Sequence, residues 1–280
     1  MRDALGRAAL LLGLVGLLFV SVCVARDGVC LRAYAWEPGV GYRPAPERCD
    51  EAPSVFEAAA FFARATSGAL IGRSGRSRED GTRDLASLMT RRGLRSGAIL
   101  GVALLALLLL GRFAPRGLPG GLPLPVAGFA LFALVLRLTP PGSILDYDRA
   151  GILWAGLTLA LADGVGRLLI DGLRGTRERE RTRPWAEHLT LWGADPEPVI
   201  TEVTARERAV QLRGALVGLL GGLVVVEAIW GVNGLGETLK DLVVDRAGLD
   251  PLLLVGVLGS FALAVLVVDL LPIERLMGRR

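Results

Sequence analysis

The pattern of hydrophobic and polar positions divides the chain into six long apolar blocks separated by polar segments. A helix needs about 20 residues to cross the roughly 30 Å hydrocarbon layer of a membrane, whereas the strands of a membrane barrel alternate over only about 10. The pattern therefore predicts an all-α integral membrane protein with about six transmembrane helices. The predicted spans are approximately Leu10–Val24, Ser96–Leu110, Leu118–Leu138, Gly151–Ile170, Gly214–Ile229 and Pro251–Leu271.

The first block admits two interpretations. Arg2 and Arg7 precede it, and Cys23-Val24-Ala25 is a tolerable cleavage site, which fits a signal peptide. The block also fits an uncleaved span, and we favour this interpretation because the chain begins at Met1. Residues 1–25 are therefore expected to form the first transmembrane helix.

Two polar segments separate the blocks. Residues 26–95 form a long loop, in which Val55–Thr66 predicts a short amphipathic helix of the interfacial kind and Ser87–Arg92 is a second candidate helix. Residues 171–213 contain eight arginines and eight carboxylates, which makes them too polar for lipid. Residues 96–280 are expected to form a core of five spans that carries this charged segment.

The distribution of basic residues predicts the orientation. One side of the membrane collects fifteen Lys and Arg residues from the short loops, the tails and segment 171–213, whereas the other side has three. The positive-inside rule then places segment 171–213 and both termini in the cytoplasm, and loop 26–95 outside. Loop 26–95 carries twelve arginines, but loops longer than about 60 residues are largely exempt from the rule. We expect a multi-pass protein of the bacterial cytoplasmic (inner) membrane.

Composition adds few candidates for chemistry. The chain of 280 residues is 52% hydrophobic with a net charge of +4, and no basic stretch is interleaved with aromatics, so a nucleic-acid partner is not expected. His188 is the only histidine, no Cys-x-x-Cys pair occurs, and no metal or other cofactor is expected. Cys23 lies in the first block as a small packing residue. Cys30 and Cys49, in the external loop, either form a disulfide or remain free thiols.

The C-terminal third carries the most specific motif. After an apolar helix come a glutamate, an aromatic residue and an Asn-Gly-Leu-Gly turn, followed by an Asp-Pro entry to the last span and a Val-Asp-Leu-Leu near its end. This order resembles the C-terminal part of dipeptide/oligopeptide-type ABC importer permeases. The residues concerned are Val224-Val-Val-Glu227, Trp230, Asn233-Gly234-Leu235-Gly236, Asp250-Pro251 and Val268-Asp269-Leu270-Leu271.

The resemblance implies roles for two groups of residues. The turn would line the translocation path or an external gate, with Glu227 as a pathway group or a structural partner and Trp230 as an interfacial anchor. Glycines would allow positive φ at this turn. In segment 171–213, Trp185 and Gly193 match positions of a helix that docks on an ATPase subunit, so Trp185, Ala186, Glu187 and Gly193 would form the docking element. Residues 187–191 differ from the family pattern there, and Pro196 and Pro198 interrupt the helix that should follow.

The resemblance also implies the function and the partners. The chain would be a permease subunit of an ABC importer for short peptides, together with a second homologous permease, two ATPase subunits, an extracytoplasmic substrate-binding protein and membrane lipid. Neither a Walker-type loop nor a Ser-His-Asp spacing occurs, so the chain is not expected to be an enzyme. The alternative is a transport-inactive permease-fold protein that serves as a structural subunit of a membrane complex.

One pair of charges lies inside a predicted span. Asp163 and Arg167 are four residues apart and share one face of the fourth helix. We expect a self-neutralising structural pair near the cytoplasmic end, because charges at membrane depth are costly. A proton-coupled carrier that uses Asp163 is a third functional hypothesis, and it lacks the inverted repeat common in such carriers.

Overall fold

A computed structural model describes residues 2–25, 29, 31, 34–38, 40–44, 53–76, 84–113, 123–138, 147–161, 175–244 and 250–271. The described fold is mostly helical, as predicted, with one small antiparallel hairpin that the all-α prediction missed. The elements in chain order are α1 (Arg2–Ala25), β1 (Tyr34–Glu37), β2 (Gly41–Pro44), α2 (Val55–Leu70), α3 (Leu85–Phe113), α4 (Leu124–Leu138), α5 (Tyr147–Leu161), α6 (residues 175–181), α7 (Pro184–Leu191), α8 (Glu197–Trp230), α9 (Leu235–Val244) and α10 (Pro251–Leu270).

Four of the described helices are long and apolar enough to cross a membrane, which identifies a multi-pass membrane protein. They are Leu5–Ala25, Leu85–Leu109, Glu207–Trp230 and Pro251–Leu270. The third and fourth predicted spans correspond to the shorter apolar stretches Pro125–Val135 and Ala150–Leu161. The remaining residues of those two predicted blocks, 118–122 and 162–170, lie outside the described residues.

The polar segments contain more regular structure than the sequence suggested. The predicted helix at Val55–Thr66 is confirmed and extends to Leu70, because Ser54 and Glu57 form a reciprocal capping box at its start. The candidate helix Ser87–Arg92 is the beginning of α3 and continues into the second span. Likewise, α8 has 34 residues, and at 1.5 Å per residue it is about 51 Å long, so it extends beyond the membrane.

Packing divides the chain into two compact units. The first comprises Met1–Gly97 and Gly231–Leu266, and the second comprises Ala98–Trp230 and Val267–Arg280. The division falls within α3 and at the end of α8.

An aromatic core holds the hairpin, α1 and α2 of the first unit together. Phe61 on α2 stacks on Tyr42 of β2 at 4.4 Å between ring centroids, and it contacts Tyr34 of β1 and Phe19 of α1 at 6.0 and 6.1 Å. All four rings are buried. The hairpin therefore packs against α2, which is the kind of support that two isolated strands need for stability.

The second unit is built around α8, which packs against α4 and α5. Small residues permit close approach of helices in this unit, as is usual in lipid. A Cβ added at Gly156 of α5 would lie 2.6 Å from Cβ of Val102 on α3. A Cβ added at Gly128 of α4 would lie 2.7 Å from Cδ1 of Ile229 on α8.

Candidate functional site

The charged segment 171–213 carries the candidate docking helix, α7, which belongs to the second unit. Pro184 is its first residue, a position where proline is well tolerated because its missing N–H has no helical acceptor. Ala186 is buried, Trp185 is half-buried and Glu187 is exposed. The predicted ATPase-docking residues Trp185, Ala186 and Glu187 thus lie in the first turn of a short helix outside the candidate spans.

Gly193 terminates α7 through a Schellman motif. Its φ is +75°, in the left-handed region that favours glycine. The N–H of Gly193 donates to the carbonyl of Thr190 at 3.0 Å, and the N–H of Ala194 donates to that of Leu189 at 2.9 Å. A Cβ at Gly193 would meet nothing within 4 Å, so backbone conformation alone requires glycine here. The sequence singled out Gly193 only by resemblance.

The end of α7 presents an apolar surface to its surroundings. Leu191 and Trp192 are 80% and 85% exposed. Beside them is an open cavity of about 510 Å³ lined by Trp185, His188, Leu189 and Trp192. A large exposed tryptophan next to a concave apolar surface is typical of a protein-interaction site. The sequence predicted docking at this helix but did not single out Leu191 or Trp192 as its exposed residues.

Ion pairs and hydrogen bonds join α6 to the start of α8, the two helices that precede and follow α7 in the chain. Arg177 and Arg181 both contact Glu197, the first at 3.4 Å, and Arg179 pairs with Glu207 at 2.9 Å. Exposed pairs of this kind each contribute about 0–1 kcal/mol. Pro196 and Pro198 lie in the break after α7 and in the first turn of α8, where they do not interrupt a helix.

The predicted gate turn begins where α8 ends. The left-handed residue is Gly231, with φ +61°, whereas Gly234 and Gly236 do not have positive φ. The expectation that Gly234 and Gly236 supply positive φ is therefore wrong. Gly236 is buried in the first turn of α9, and Gly234 bends the chain just before it.

Three side chains on α3 bind this turn within the first unit, and the sequence analysis missed all three. Arg95 donates to the carbonyl of Asn233 at 3.3 Å, and the hydroxyl of Ser96 accepts the N–H of Leu235 at 2.9 Å. Arg92 also donates to Thr238 Oγ1 at 2.8 Å. The available signal was the spacing of Arg92, Arg95 and Ser96, which places them on one helical face at the start of a span.

Trp230 and Glu227 lie inside the second unit. The indole N–H of Trp230 donates to Thr158 Oγ1 at 3.1 Å, and its ring contacts Phe132 at 5.3 Å and Trp154 at 6.4 Å between centroids. With 4% exposure, Trp230 packs between helices. Glu227, one turn earlier, is fully buried.

Several predicted residues lie outside the described part of the chain. These are Asp163, Arg167, Cys30 and Cys49. Cys23 is described, and it is buried as a packing residue. Within the described residues, no three His, Cys, Asp or Glu side chains form a group suited to a metal ion.

No family model and no curated protein matches the chain.

Proposed function

We propose that this protein is a permease subunit of an ABC importer of the dipeptide/oligopeptide type, and that α7 is its docking helix for an ATPase subunit. The observation that carries the proposal is the exposed Leu191–Trp192 end of α7, outside the candidate spans and stopped by Gly193. An exposed apolar helix end in a charged segment costs free energy in water unless a partner covers it.

The arrangement around α7 supports transmission of motion from a bound ATPase to the spans. The segment α6–α7 is joined by Arg177, Arg179 and Arg181 to α8, and α8 continues without interruption into a candidate span. A displacement of α7 would therefore act on a helix that reaches Trp230. Alternating access in such importers would follow from rigid-body motion of this kind.

The gate turn supports the same proposal. The turn 231–236 follows a span directly and leads into α9, the short helix that the resemblance implies after it. Arg95 and Ser96 of α3 bond this turn, and Arg92 of α3 bonds Thr238 in α9. A second homologous permease would complete the translocation path, and an external binding protein would deliver short peptides to this side.

Co-purification tests the proposal. The chain is isolated from native membranes in mild detergent, in parallel with the variants Trp192→Ala and Val203→Ala. Val203 is the matched control because it is 55% exposed in α8, before its candidate span. We expect ATPase subunits and ATP-dependent peptide uptake with the wild type and with Val203→Ala, and loss of both with Trp192→Ala.

The alternative function, a transport-inactive structural subunit, predicts a different result in the same co-purification experiment. It is favoured by the bulky side chains of Leu191 and Trp192 on a helix that the family builds from small residues. A stable membrane complex that contains no ATPase in any of the three preparations would replace the permease proposal with this alternative.

A further inference from the structure

Arg208 faces Arg177 across the contact between α8 and α6. Two bonds bracket the pair, because Gln211 donates to Thr176 Oγ1 at 3.2 Å and Arg179 pairs with Glu207 at 2.9 Å. On α6, Arg177 lies between Thr176 and Arg179. On α8, Arg208 lies between Glu207 and Gln211. The contacts on either side bring these two like charges to the same part of the surface between α6 and α8, where they repel each other.

Arg208 differs from its neighbours in having no ion pair with any carboxylate in the described part of the chain. Each arginine of α6 pairs with a carboxylate, and Glu197 is shared by Arg177 and Arg181. Arg208 bonds only the carbonyl of Thr201, at 2.7 Å, and no described carboxylate lies within ion-pair distance of it. Arg177 and Arg181 thus share one carboxylate, and Arg208 adds a third positive charge to this contact without a described acid of its own.

The hydrogen-bonding capacity of the pair is also incompletely used. The Nε–H groups of Arg177 and Arg208 are buried, and neither has an acceptor among the described residues. A buried donor without an acceptor costs free energy, and more so when it is charged. An anion that accepts from these guanidinium groups would reduce both this cost and the repulsion.

The position of Arg208 along α8 indicates at which depth, relative to the candidate span, that anion would lie. The candidate span of α8 begins at Glu207, one residue before Arg208. Arg213 donates to the carbonyl of Leu271, just past the end of α10 and its candidate span, at 3.0 Å. Both observations place the arginines at the membrane surface, where phosphate groups of lipids are concentrated.

We infer that Arg208 and Arg177 form a binding site for a phosphate group, and that an anionic lipid headgroup is its expected source. The planar guanidinium presents paired N–H donors that match the oxygens of a phosphate. Basic pockets between spans bind lipid headgroups in this way. The inference does not rest on the proposed transport function, since a membrane protein of any function would retain such a site.

The test compares the wild type with Arg208→Gln and Arg183→Gln in lipid nanodiscs. Arg183 is the control because it lies in the same segment and carries the same charge, but it is exposed, it pairs with Glu180, and it takes no part in the contacts that bracket the site. Discs of phosphatidylcholine are compared with discs that contain phosphatidylglycerol. The unfolding midpoint and the number of retained phosphatidylglycerol molecules are measured. A third arm adds inorganic phosphate to the phosphatidylcholine discs.

We expect phosphatidylglycerol to raise the midpoint of the wild type and of Arg183→Gln. Arg208→Gln should lose most of this shift and bind phosphatidylglycerol about fivefold more weakly. A shift with inorganic phosphate, abolished by Arg208→Gln, would support the same site with a soluble phosphate as its source. If Arg208→Gln does not fold, Arg177→Gln is measured with the same expectation.

The inference is overturned if Arg208→Gln, or Arg177→Gln in its place, keeps the full wild-type response to phosphatidylglycerol and to phosphate. Equal loss in Arg208→Gln and Arg183→Gln would also overturn it, because such a loss would reflect net charge rather than a site. Arg208→Lys provides an independent check. It keeps the charge but not the paired donors, and an intermediate affinity is expected.

Discussion

The hydroxyl of Tyr34 donates a 2.7 Å hydrogen bond to Oδ1 of Asp250, across 216 positions of sequence. The same oxygen accepts the N–H groups of Leu252 and Leu253 at 3.0 Å, so Asp250 caps the N-terminus of α10. One buried carboxylate therefore joins the hairpin to the start of the last candidate span.

This relationship predicts the effect of removing either partner. Tyr34→Phe should lower the free energy of unfolding by about 1–2 kcal/mol, since it removes one buried bond to a carboxylate. Asp250→Ala should cost about 2–4 kcal/mol, because it removes the helix cap as well. Denaturant or thermal unfolding in detergent measures both.

The control is Asp241→Ala, which removes an exposed carboxylate on α9 and should change the free energy of unfolding by less than about 0.5 kcal/mol. A Tyr34→Phe variant as stable as the wild type would contradict the prediction.

The termination of α7 makes a second prediction. Gly193→Ala must hold alanine at positive φ, which costs about 1–2 kcal/mol, and should open the two bonds that end the helix. Amide exchange at Ala194 should become about tenfold faster, as expected for a loss of about 1.4 kcal/mol. Gly193→Asn should exchange more slowly than Gly193→Ala, because asparagine tolerates this conformation. Equal rates in all three proteins would show that the cap does not stabilise α7.

The close contact between α3 and α5 makes a third prediction. Gly156→Ala places a Cβ 2.6 Å from that of Val102 and 2.9 Å from the carbonyl oxygen of Ile99. Overpacking costs about 1–3 kcal/mol and exceeds the gain of at most about 1 kcal/mol in helix propensity. Gly101→Ala is the control, because that position has open space. Thermal unfolding measures both variants, and Gly101→Ala should leave the stability unchanged or raise it. A Gly156→Ala protein as stable as Gly101→Ala would show that α3 and α5 are not tightly packed at Gly156.

The pH dependence of α9 makes a fourth prediction. Burial, followed by the charge of Asp241, raises the pKa of Glu237 above its ordinary value of 4.5, against the opposing effects of Lys240 and Arg92. A raised folded pKa means that Glu237 favours folding below pH 4.5 and that this contribution is lost as the pH rises through the folded value. Glu237→Gln should therefore flatten this part of the stability curve, as measured by unfolding midpoints across the pH range. An unchanged slope in the variant would refute the assignment to Glu237.

The sequence predicted those features that depend on local pattern. Apolar block length identified the long spans, and the order of Glu227, Trp230 and the Asn-Gly-Leu-Gly turn located the end of α8. The hairpin was missed because Tyr34–Glu37 and Gly41–Pro44 are very short and owe their stability to Phe61 rather than to their own alternation. The bonds from Arg92, Arg95 and Ser96 to the turn 231–236 and to α9 were missed because they join residues about 140 positions apart.

The orientation of α7 is the central claim, since a docking helix for an ATPase must face the cytoplasm. Its direct measurement is labelling by a membrane-impermeant maleimide in a chain whose three native cysteines are replaced by serine. Trp192→Cys is compared with Trp36→Cys, an exposed position on the hairpin. We predict that Trp192→Cys is labelled only in inside-out vesicles and Trp36→Cys only in right-side-out vesicles. Labelling of Trp192→Cys from outside intact cells would contradict both the topology and the proposed function.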